Sequence, residues 1–276
     1  MTEPLLLPAG TNRIVSVPGA ELAVTDVGDG PLVVLSPGWT EQREVWSLVA
    51  HRLLDEGHRV VLYDQRGQGS STGTEGFTVD ALGADLRAVL EAVDARDAVV
   101  AGHSMGGMAV LSLVFHHPDV VAERASRLVL VSSGAAEIGR GEHPGAAKRV
   151  LSSRLVDRLL ATRWGHRLTR RTFGARPPRW AMQAMRDMYV SCPPQVRAGW
   201  VDSLWKMDLR PCLPSIGVPT YVVSGSRDRV TPPRLSRALA EDIPGARLIT
   251  IPGAGHQLPL EAPADVAELL RKDPPA

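Results

Sequence analysis

The stretch Val99-Val-Ala-Gly-His-Ser-Met-Gly-Gly-Met-Ala-Val110 places the hydroxyl of Ser104 inside an apolar run that also contains three glycines. The residues before the serine are typical of a buried strand, and those after it begin a helical pattern. Gly102 and Gly106 stand on either side of Ser104 in the spacing G-x-S-x-G. Because glycine has no Cβ atom, this spacing favours a tight strand-to-helix turn that exposes the serine over a serine that only caps the helix.

Short β-branched runs alternate with amphipathic segments along most of the chain. Several runs are continuously apolar, as expected for parallel strands covered by helices on both faces. The hairpin signal Pro18-Gly19-Ala20 between the first two runs predicts an antiparallel start. The predicted fold class is therefore α/β, with a mostly parallel central sheet flanked by helices. The predicted strands are Ile14–Val17, Glu21–Val27, Leu32–Ser36, Arg59–Tyr63, Ala98–Gly102, Leu128–Ser132, Thr220–Ser224 and Arg247–Ile251, and the predicted helices are Glu44–Glu56, Val79–Val93, Met105–His116, Pro232–Asp242 and Ala264–Arg271.

The strand–helix alternation breaks between Ala135 and Pro214 and resumes at Val218. The intervening stretch has helical patterns and proline-rich punctuation but no strand pattern. We therefore predict one α/β core, residues 1–134 and 213–276, with a helical cap inserted at residues 135–212. A chain of 276 residues is long enough for this arrangement.

The bulk composition is that of an ordinary globular chain, with 44% hydrophobic residues, 22% charged residues and a formal net charge of +1. No apolar run approaches the ~20 residues that a membrane-spanning helix needs. The N-terminal segment carries Glu3 where a secretory signal would carry positive charge. Cys192 and Cys212 match no metal-binding spacing. We expect a cytoplasmic protein with no membrane span, no metal, no cofactor and no nucleic-acid partner.

A serine hydroxyl is a poor nucleophile unless a base takes its proton and a third group orients that base. The sequence supplies both groups just past later predicted strands. Asp228 follows the run Thr220–Ser224, and His256 follows the run Arg247–Ile251. The chain order Ser104, Asp228, His256 is the order expected when the serine stands on a strand-to-helix turn of an α/β sheet. His103 adjoins the serine, but we expect its side chain to point away from the hydroxyl.

A tetrahedral intermediate on such a serine also needs hydrogen-bond donors for its oxyanion. The amide of Met105, directly after the serine, is one candidate. The second candidate is the amide of Trp39, in the loop that follows the run Leu32–Ser36, where Gly38 permits a tight turn. Pro37 in the same loop has no N–H group to donate.

Four sequence motifs, in their order along the chain, resemble those of the α/β-hydrolase family, in its esterase- and lipase-like branch. The nucleophile motif is G-H-S-M-G-G, and the segments around the acid and the histidine are G-S-R-D and G-H-Q-L-P-L-E-A-P. A fourth segment, D-Q-R-G-Q-G-S, resembles the loop after the fourth strand of these hydrolases. The motifs lie at Gly102–Gly107, Gly225–Asp228, Gly255–Pro263 and Asp64–Ser70.

The resemblance implies a Ser-Asp-His hydrolase that uses Ser104, Asp228 and His256, with a helical cap inserted after the sixth strand. A serine nucleophile separates the chain from family members that use an aspartate, such as epoxide hydrolases. One position departs from the family pattern. The family often carries His-Gly in the oxyanion loop, and Pro37-Gly38 stands here, so the backbone donor remains but the side chain that usually organises the loop is missing.

The cap segment between residues 180 and 189 predicts an apolar surface for the substrate. We expect Trp180, Met185, Met188 and Tyr189 to line the pocket, because a lid helix packs over the catalytic mouth and methionine adapts to irregular ligands. The cap is also basic. Residues 137–212 hold fifteen Lys or Arg against six Asp or Glu, which fits either a solvated arginine-rich surface or the docking of an acidic carrier protein.

These features point first to a serine hydrolase that cleaves a carboxylic ester of a partly apolar small molecule through an acyl-enzyme. Other functions stay open at this stage. The same residues could serve a thioesterase or cyclase that acts on a carrier-bound acyl chain, or a hydrolase of carbon–carbon bonds. The scaffold could also serve as a ligand-binding receptor with slow turnover.

Overall fold

A central eight-stranded sheet dominates the computed structural model, which describes residues 5–136 and 144–271. Its spatial order is β1-β2-β4-β3-β5-β6-β7-β8 once the strands are numbered along the chain. The strands are β1 (Thr11–Val17), β2 (Ala20–Val27), β3 (Leu32–Ser36), β4 (Arg59–Tyr63), β5 (Ala98–His103), β6 (Ala125–Val131), β7 (Thr220–Gly225) and β8 (Arg247–Ile251).

Strand directions follow the sequence-based expectation. β1 pairs with β2 and β2 with β4 in antiparallel fashion, and every other neighbouring pair is parallel. The predicted α/β class, with a mostly parallel sheet and an antiparallel start, is therefore confirmed. All eight predicted strands are present with small shifts at their ends.

Helices cover both faces of the sheet. All five predicted helices are present, the first of them as a short 3-10 turn at Arg43–Trp46 that leads into α1. Two short helices with a proline in the first turn, at Pro118–Arg124 and Leu258–Glu261, are not predicted by the sequence. No helix in residues 5–136 or 144–271 combines the length and apolar character needed to cross a membrane. The helices packed around the sheet are α1 (Ser47–Asp55), α2 (Val79–Ala92), α3 (Met105–His116), α4 (Pro118–Arg124), α11 (Pro233–Asp242), α12 (Leu258–Glu261) and α13 (Pro263–Leu270).

Alternating side chains of the central strands divide the interior into two apolar cores. Val34 and Val100 face the core that contains α2, α3 and α11, whereas Val33 and Val99 face the core that contains α1, α12 and α13. Successive side chains of a strand point to opposite faces, so both faces must be apolar when helices cover both. This explains the continuously apolar runs in the sequence.

Six α-helices lie between β6 and β7 in the part of this stretch that the structure describes, and we call residues 144–206 the insertion. Its two ends lie side by side, because Leu209 N–H donates to Ala135 O at 2.8 Å and Ala136 pairs with Asp208 in an antiparallel bridge. The division into core and cap at residues 135 and 212 stays a prediction, and residues 137–143 of the predicted cap lie outside the described residues. The helices are α5 (Pro144–Leu151), α6 (Leu155–Leu160), α7 (Arg163–Arg170), α8 (Arg179–Ser191), α9 (Pro194–Gly199) and α10 (Val201–Lys206).

The turn between β5 and α3 holds Ser104 in a backbone conformation with φ 52° and ψ −115°. Residues other than glycine rarely adopt such angles, and strain of this kind persists only where the surroundings fix it. The surroundings here are very close. A Cβ atom on Gly102 would lie 2.1 Å from the carbonyl oxygen of Gly106, and a Cβ atom on Gly106 would lie 2.2 Å from that of Ser36.

We expect Gly106→Ala to destabilise the fold, because the new methyl group meets backbone atoms of β3 that cannot move aside without disturbing the sheet. Overpacking of this kind costs about 3 kcal/mol, which corresponds to a melting temperature lowered by about 5–10 °C. Gly217→Ala is the matched control, because no atom lies within 4 Å of its added Cβ. Thermal unfolding of both variants tests the prediction, and equal melting temperatures would contradict it.

Candidate active site

Ser104 lies in the turn between β5 and α3, at the edge of the sheet. Hydrogen bonds from the end of β6 and the residues after it hold its main chain. Its N–H donates to Val131 O at 2.9 Å, and its carbonyl oxygen accepts from Ser133 Oγ at 2.8 Å. The residue is partly exposed and its side chain lines a cavity. The main chain is thus anchored while the hydroxyl remains accessible.

Asp228 lies in the turn that follows β7 and is 4% exposed. Its carboxylate accepts from the amides of Val230 at 2.8 Å and Thr231 at 3.0 Å, and the Thr231 hydroxyl lies 2.8 Å from Oδ2. Burial alone would raise the pKa of Asp228, but the His256 imidazole, the Thr231 hydroxyl and the Val230 amide favour the charged form. Together they hold the pKa below its ordinary value, so Asp228 is a carboxylate at neutral pH.

His256 lies in the loop after β8, and its side chain contacts Asp228. Its Nδ1 is 2.9 Å from Asp228 Oδ2, and its main-chain N–H donates to Thr172 O of the insertion at 2.8 Å. Because an ionised carboxylate can only accept, Nδ1 must carry the proton of the neutral ring. Nε2 then holds the lone pair and is the nitrogen that can take a proton from a neighbouring hydroxyl.

Ser104 and His256 line one cavity of about 310 Å³ between the sheet edge and the insertion. The insertion contributes mostly apolar side chains to its wall, and Trp39 contributes an indole that packs edge-on against Tyr189 with ring centroids 6.2 Å apart. The geometry therefore combines a proton-accepting imidazole and a hydroxyl with an apolar chamber. The apolar wall residues from the insertion are Val156, Leu160, Leu168 and Met185.

The two predicted oxyanion donors belong to the segments that follow β3 and β5. Met105 is the first residue of α3, so its amide belongs to the helix N-terminal amides that have no partner inside the helix. Trp39 lies in the loop after β3 and lines the same cavity as Ser104. The role of both amides as oxyanion donors stays a prediction.

The four residues expected to contact substrate do not share one position. Met185 and Tyr189 line the cavity, whereas Trp180 and Met188 are not among the described residues of its wall. Met188 is buried in the apolar core that contains α1 and α13, and Trp180 packs against the same core. The spacing along α8 identifies an apolar face, but most of that face packs against the protein itself rather than facing the cavity.

Two residues near the cavity were not predicted to be functional. Glu41 Oε2 lies 2.9 Å from His103 Nδ1, and both side chains are buried. The sequence predicts that the His103 side chain points away from the serine hydroxyl, and its two ring nitrogens contact Glu41 and the main chain of His256. Glu41 is an isolated acid in a loop, and no periodic pattern singles it out.

Within residues 5–136 and 144–271, no group of three His, Cys, Asp or Glu side chains is arranged to hold a metal ion. Both cysteines are buried, and burial raises the pKa of Cys192 to about 12 and that of Cys212 to about 11. A thiol with so high a pKa is protonated at neutral pH and is a weak nucleophile. Neither cysteine is among the described lining of the cavity that Ser104 shares with His256, so Ser104 is the better candidate nucleophile.

Comparisons with known proteins agree with this architecture. The chain is 28% identical over 247 residues to the non-heme chloroperoxidase CPO-A1 of Kitasatospora aureofaciens, which covers 86% of this chain and 89% of that relative. It is 27% identical over 273 residues to the bifunctional esterase/perhydrolase DCH of Acinetobacter calcoaceticus, covering 92% and 95% of the two chains. The esterase EaEST of Exiguobacterium antarcticum superposes with a TM-score of 0.83, at 24% identity, over 95% of this chain and 98% of that one.

The family model described as "alpha/beta hydrolase fold" matches residues 31–263, a span that runs from β3 to the start of α13. The resemblance that the sequence motifs indicate is thereby confirmed. The chain belongs to the alpha/beta hydrolase family of enzymes.

Proposed function

We propose that the protein is a serine hydrolase that cleaves a carboxylic ester of a partly apolar small molecule, with Ser104, His256 and Asp228 as its catalytic triad. The observation that carries this proposal is the 2.9 Å contact between His256 Nδ1 and Asp228 Oδ2, in a histidine that shares a cavity wall with Ser104. Similarity to an esterase/perhydrolase over 92% of the chain supports the same reaction class.

In the first half of the reaction, Ser104 Oγ attacks the ester carbonyl carbon and His256 Nε2 takes the hydroxyl proton. The carbonyl oxygen becomes an oxyanion, which the amides of Trp39 and Met105 stabilise. Asp228 holds the ring in the required tautomer and stabilises the imidazolium. The intermediate then collapses: the bond to the alcohol oxygen breaks, the alcohol leaves with the proton from His256, and the acyl group stays on Ser104.

In the second half, a water molecule replaces the alcohol. His256 Nε2 takes one proton of that water while its oxygen attacks the acyl carbon, and the oxyanion forms again between the same amides. Collapse breaks the bond to Ser104 Oγ, which recovers its proton from His256. The carboxylic acid leaves and the enzyme returns to its starting state.

The cavity defines the kind of ester that fits. Its volume of about 310 Å³ suits a small molecule, and the side chains from α6, α7 and α8 on its wall are largely apolar. An acyl or alcohol group with an alkyl or aryl portion would contact Leu160, Leu168 and Tyr189. A fully polar ester would make no apolar contact with these side chains.

We expect Ser104→Ala to abolish hydrolysis of p-nitrophenyl esters down to the weak residual level left by binding and oxyanion stabilisation, a loss of about 10³-fold or more. A fluorophosphonate probe should label the wild-type chain and not Ser104→Ala. Ser126→Ala is the control, because Ser126 lies at the start of β6 and its hydroxyl donates to Asp97 O. Normal turnover by Ser104→Ala would refute the proposed function.

We expect Asp228→Asn to lower kcat by about 10²- to 10⁴-fold, because an amide can donate to Nδ1 and thereby favours the wrong tautomer of His256. Asp265→Asn, an exposed acid in the first turn of α13, provides the matched control. Ester turnover from pH 5 to 9 measures the effect. A variant that retains wild-type kcat across this range would show that Asp228 does not act on His256.

A second candidate function rests on a separate feature, a depression of about 320 Å³ beside the cavity. Four arginines line it together with Phe173 and Gly174, and no acidic residue is among its described lining. Thr172 and Val230, which line the catalytic cavity, are next in the chain to Arg171 and Arg229 of this depression. The arrangement favours a thioesterase that receives an acyl chain from an acidic carrier protein, because the arginines would attract and hold negative charge beside the cavity.

This second function predicts a salt-dependent reaction. Raising salt from about 50 to 300 mM should lower kcat/KM for a carrier-bound acyl thioester about tenfold and leave a small free thioester nearly unchanged, since only docking is screened. Arg171→Gln with Arg227→Gln should reproduce the loss at low salt. Arg52→Gln with Arg87→Gln removes two exposed arginines elsewhere as the control. Equal salt dependence of both substrates would exclude a carrier partner.

A further inference from the structure

A buried pair of ionisable side chains, Glu41 and His103, lies beside the proposed triad and has no role in the steps described above. Their side chains are 2% and 0% exposed, and His103 Nδ1 is 2.9 Å from Glu41 Oε2. Burying two such groups is costly unless each finds partners for its remaining polar atoms. Where those partners lie shows what the pair holds together.

Each member of the pair contacts the main chain of a different part of the site. Glu41 Oε2 also accepts from Gly38 N–H at 2.6 Å, in the loop that carries the Trp39 amide. His103 Nε2 contacts the carbonyl oxygen of His256 at 2.8 Å. A continuous chain of hydrogen bonds therefore joins the loop after β3 to the main chain of the proposed base. We call this chain, from Gly38 N–H through Glu41 and His103 to the carbonyl of His256, the bridge.

The protons on this chain can be assigned from its partners. The carbonyl oxygen of His256 can only accept, so His103 Nε2 must donate, and Nδ1 shares a proton with the Glu41 carboxylate. Burial by itself would lower the pKa of His103, but the charges of Glu41 and Asp228 and the two hydrogen bonds raise it above the ordinary value. The contact with Glu41 thus favours the charged form of His103 more than in a free histidine, and the His103 ring lies 4.9 Å from the His256 ring between centroids.

The bridge also accounts for Pro37, which stands where the family often carries histidine. Gln65 Nε2 donates to Pro37 O at 2.6 Å, while Glu41 holds the next amide, that of Gly38. The Pro37–Gly38 peptide, next to the peptide that carries the Trp39 N–H, is therefore held at both its carbonyl and its N–H without a polar side chain at residue 37. Gly38 leaves room for this contact, since a Cβ there would lie 2.7 Å from Glu41 Oε2.

We propose that Glu41 and His103 are positioning residues that fix the Trp39 amide and the His256 imidazole relative to each other around Ser104. The proposal rests on the proposed serine hydrolase function. The oxyanion donor and the base act on the same tetrahedral intermediate, and a small change in their separation weakens stabilisation of that intermediate. The apolar walls that bind the ester come mainly from the insertion and do not depend on this bridge.

The test compares variants that break the bridge with one that preserves it. His103→Phe keeps an aromatic ring but removes both donors, and Glu41→Ala removes the shared acceptor. Both should lower kcat for a p-nitrophenyl ester about 10- to 100-fold with KM within about twofold of wild type. In Glu41→Gln the amide oxygen can take the position of Oε2, where it accepts from Gly38 N–H and can also accept from a protonated His103 Nδ1, so this variant should restore part of the kcat that Glu41→Ala loses.

His58→Phe is the matched control for folding and stability. His58 is also buried, with its Nδ1 3.2 Å from Leu53 O, but it precedes β4 at the far end of the strand from the cavity. It should lower the melting temperature without a selective loss of kcat. A selective fall in kcat, with rescue by Glu41→Gln, separates positioning from general destabilisation. Glu41→Ala tests the bridge through a second residue if His103→Phe does not fold.

The bridge and the proposed function can fail separately. If His103→Phe and Glu41→Ala are folded and keep kcat within about twofold of wild type while Ser104→Ala is inactive, the bridge has no positioning role and the triad stands. The same conclusion follows if Glu41→Gln is as impaired as Glu41→Ala. If Ser104→Ala retains turnover, the serine hydrolase function itself fails, and with it the role assigned to the bridge.

Discussion

The carbonyl of Ser36 occupies the space that a side chain on residue 106 would need, and this close approach of β3 to α3 sets the geometry of the cavity. It brings the first turn of α3 against the end of β3, so the residue between β5 and α3 has no room for ordinary helical or extended angles. Ser104 adopts a left-handed backbone conformation there, with φ 52°. The same contact places the loop that follows Ser36 beside the N-terminus of α3, where amides from both segments can face one point.

Charge is buried around this point only where it is paired. The Asp228 carboxylate has an imidazole, two amides and a hydroxyl as partners, and the Glu41 carboxylate has an imidazole and an amide. A buried carboxylate without such donors would shift its pKa upward and become neutral. The two histidines differ in their contacts: Asp228 meets Nδ1 of His256, whereas Glu41 and a main-chain carbonyl meet both ring nitrogens of His103. His103 therefore has no ring nitrogen left to take a proton from a hydroxyl.

Features encoded by local sequence could be predicted, and features encoded by distant contacts could not. The strands and the turn at Ser104 follow from apolar runs and glycine spacing, and Asp228 and His256 were predicted as site residues because each lies in the segment that follows a strand. The contact of Glu41 with His103 joins residues 62 positions apart in the sequence, so no local sequence pattern can predict it. Met188 shows the complementary limit. Its place on the apolar face of α8 could be inferred from the sequence. Its packing into the apolar core that contains α1, α12 and α13 could not.

The main chain of His256 is held from two sides, and these contacts connect the wall of the cavity to the proposed base. Its carbonyl contacts His103, the last residue of β5, while its N–H donates to Thr172 of the insertion. Thr172 also lines the cavity next to the apolar side chains that would receive the ester. The main chain of His256 is therefore tied to the insertion and to the core at once, so a change in either segment would shift the same imidazole relative to Ser104.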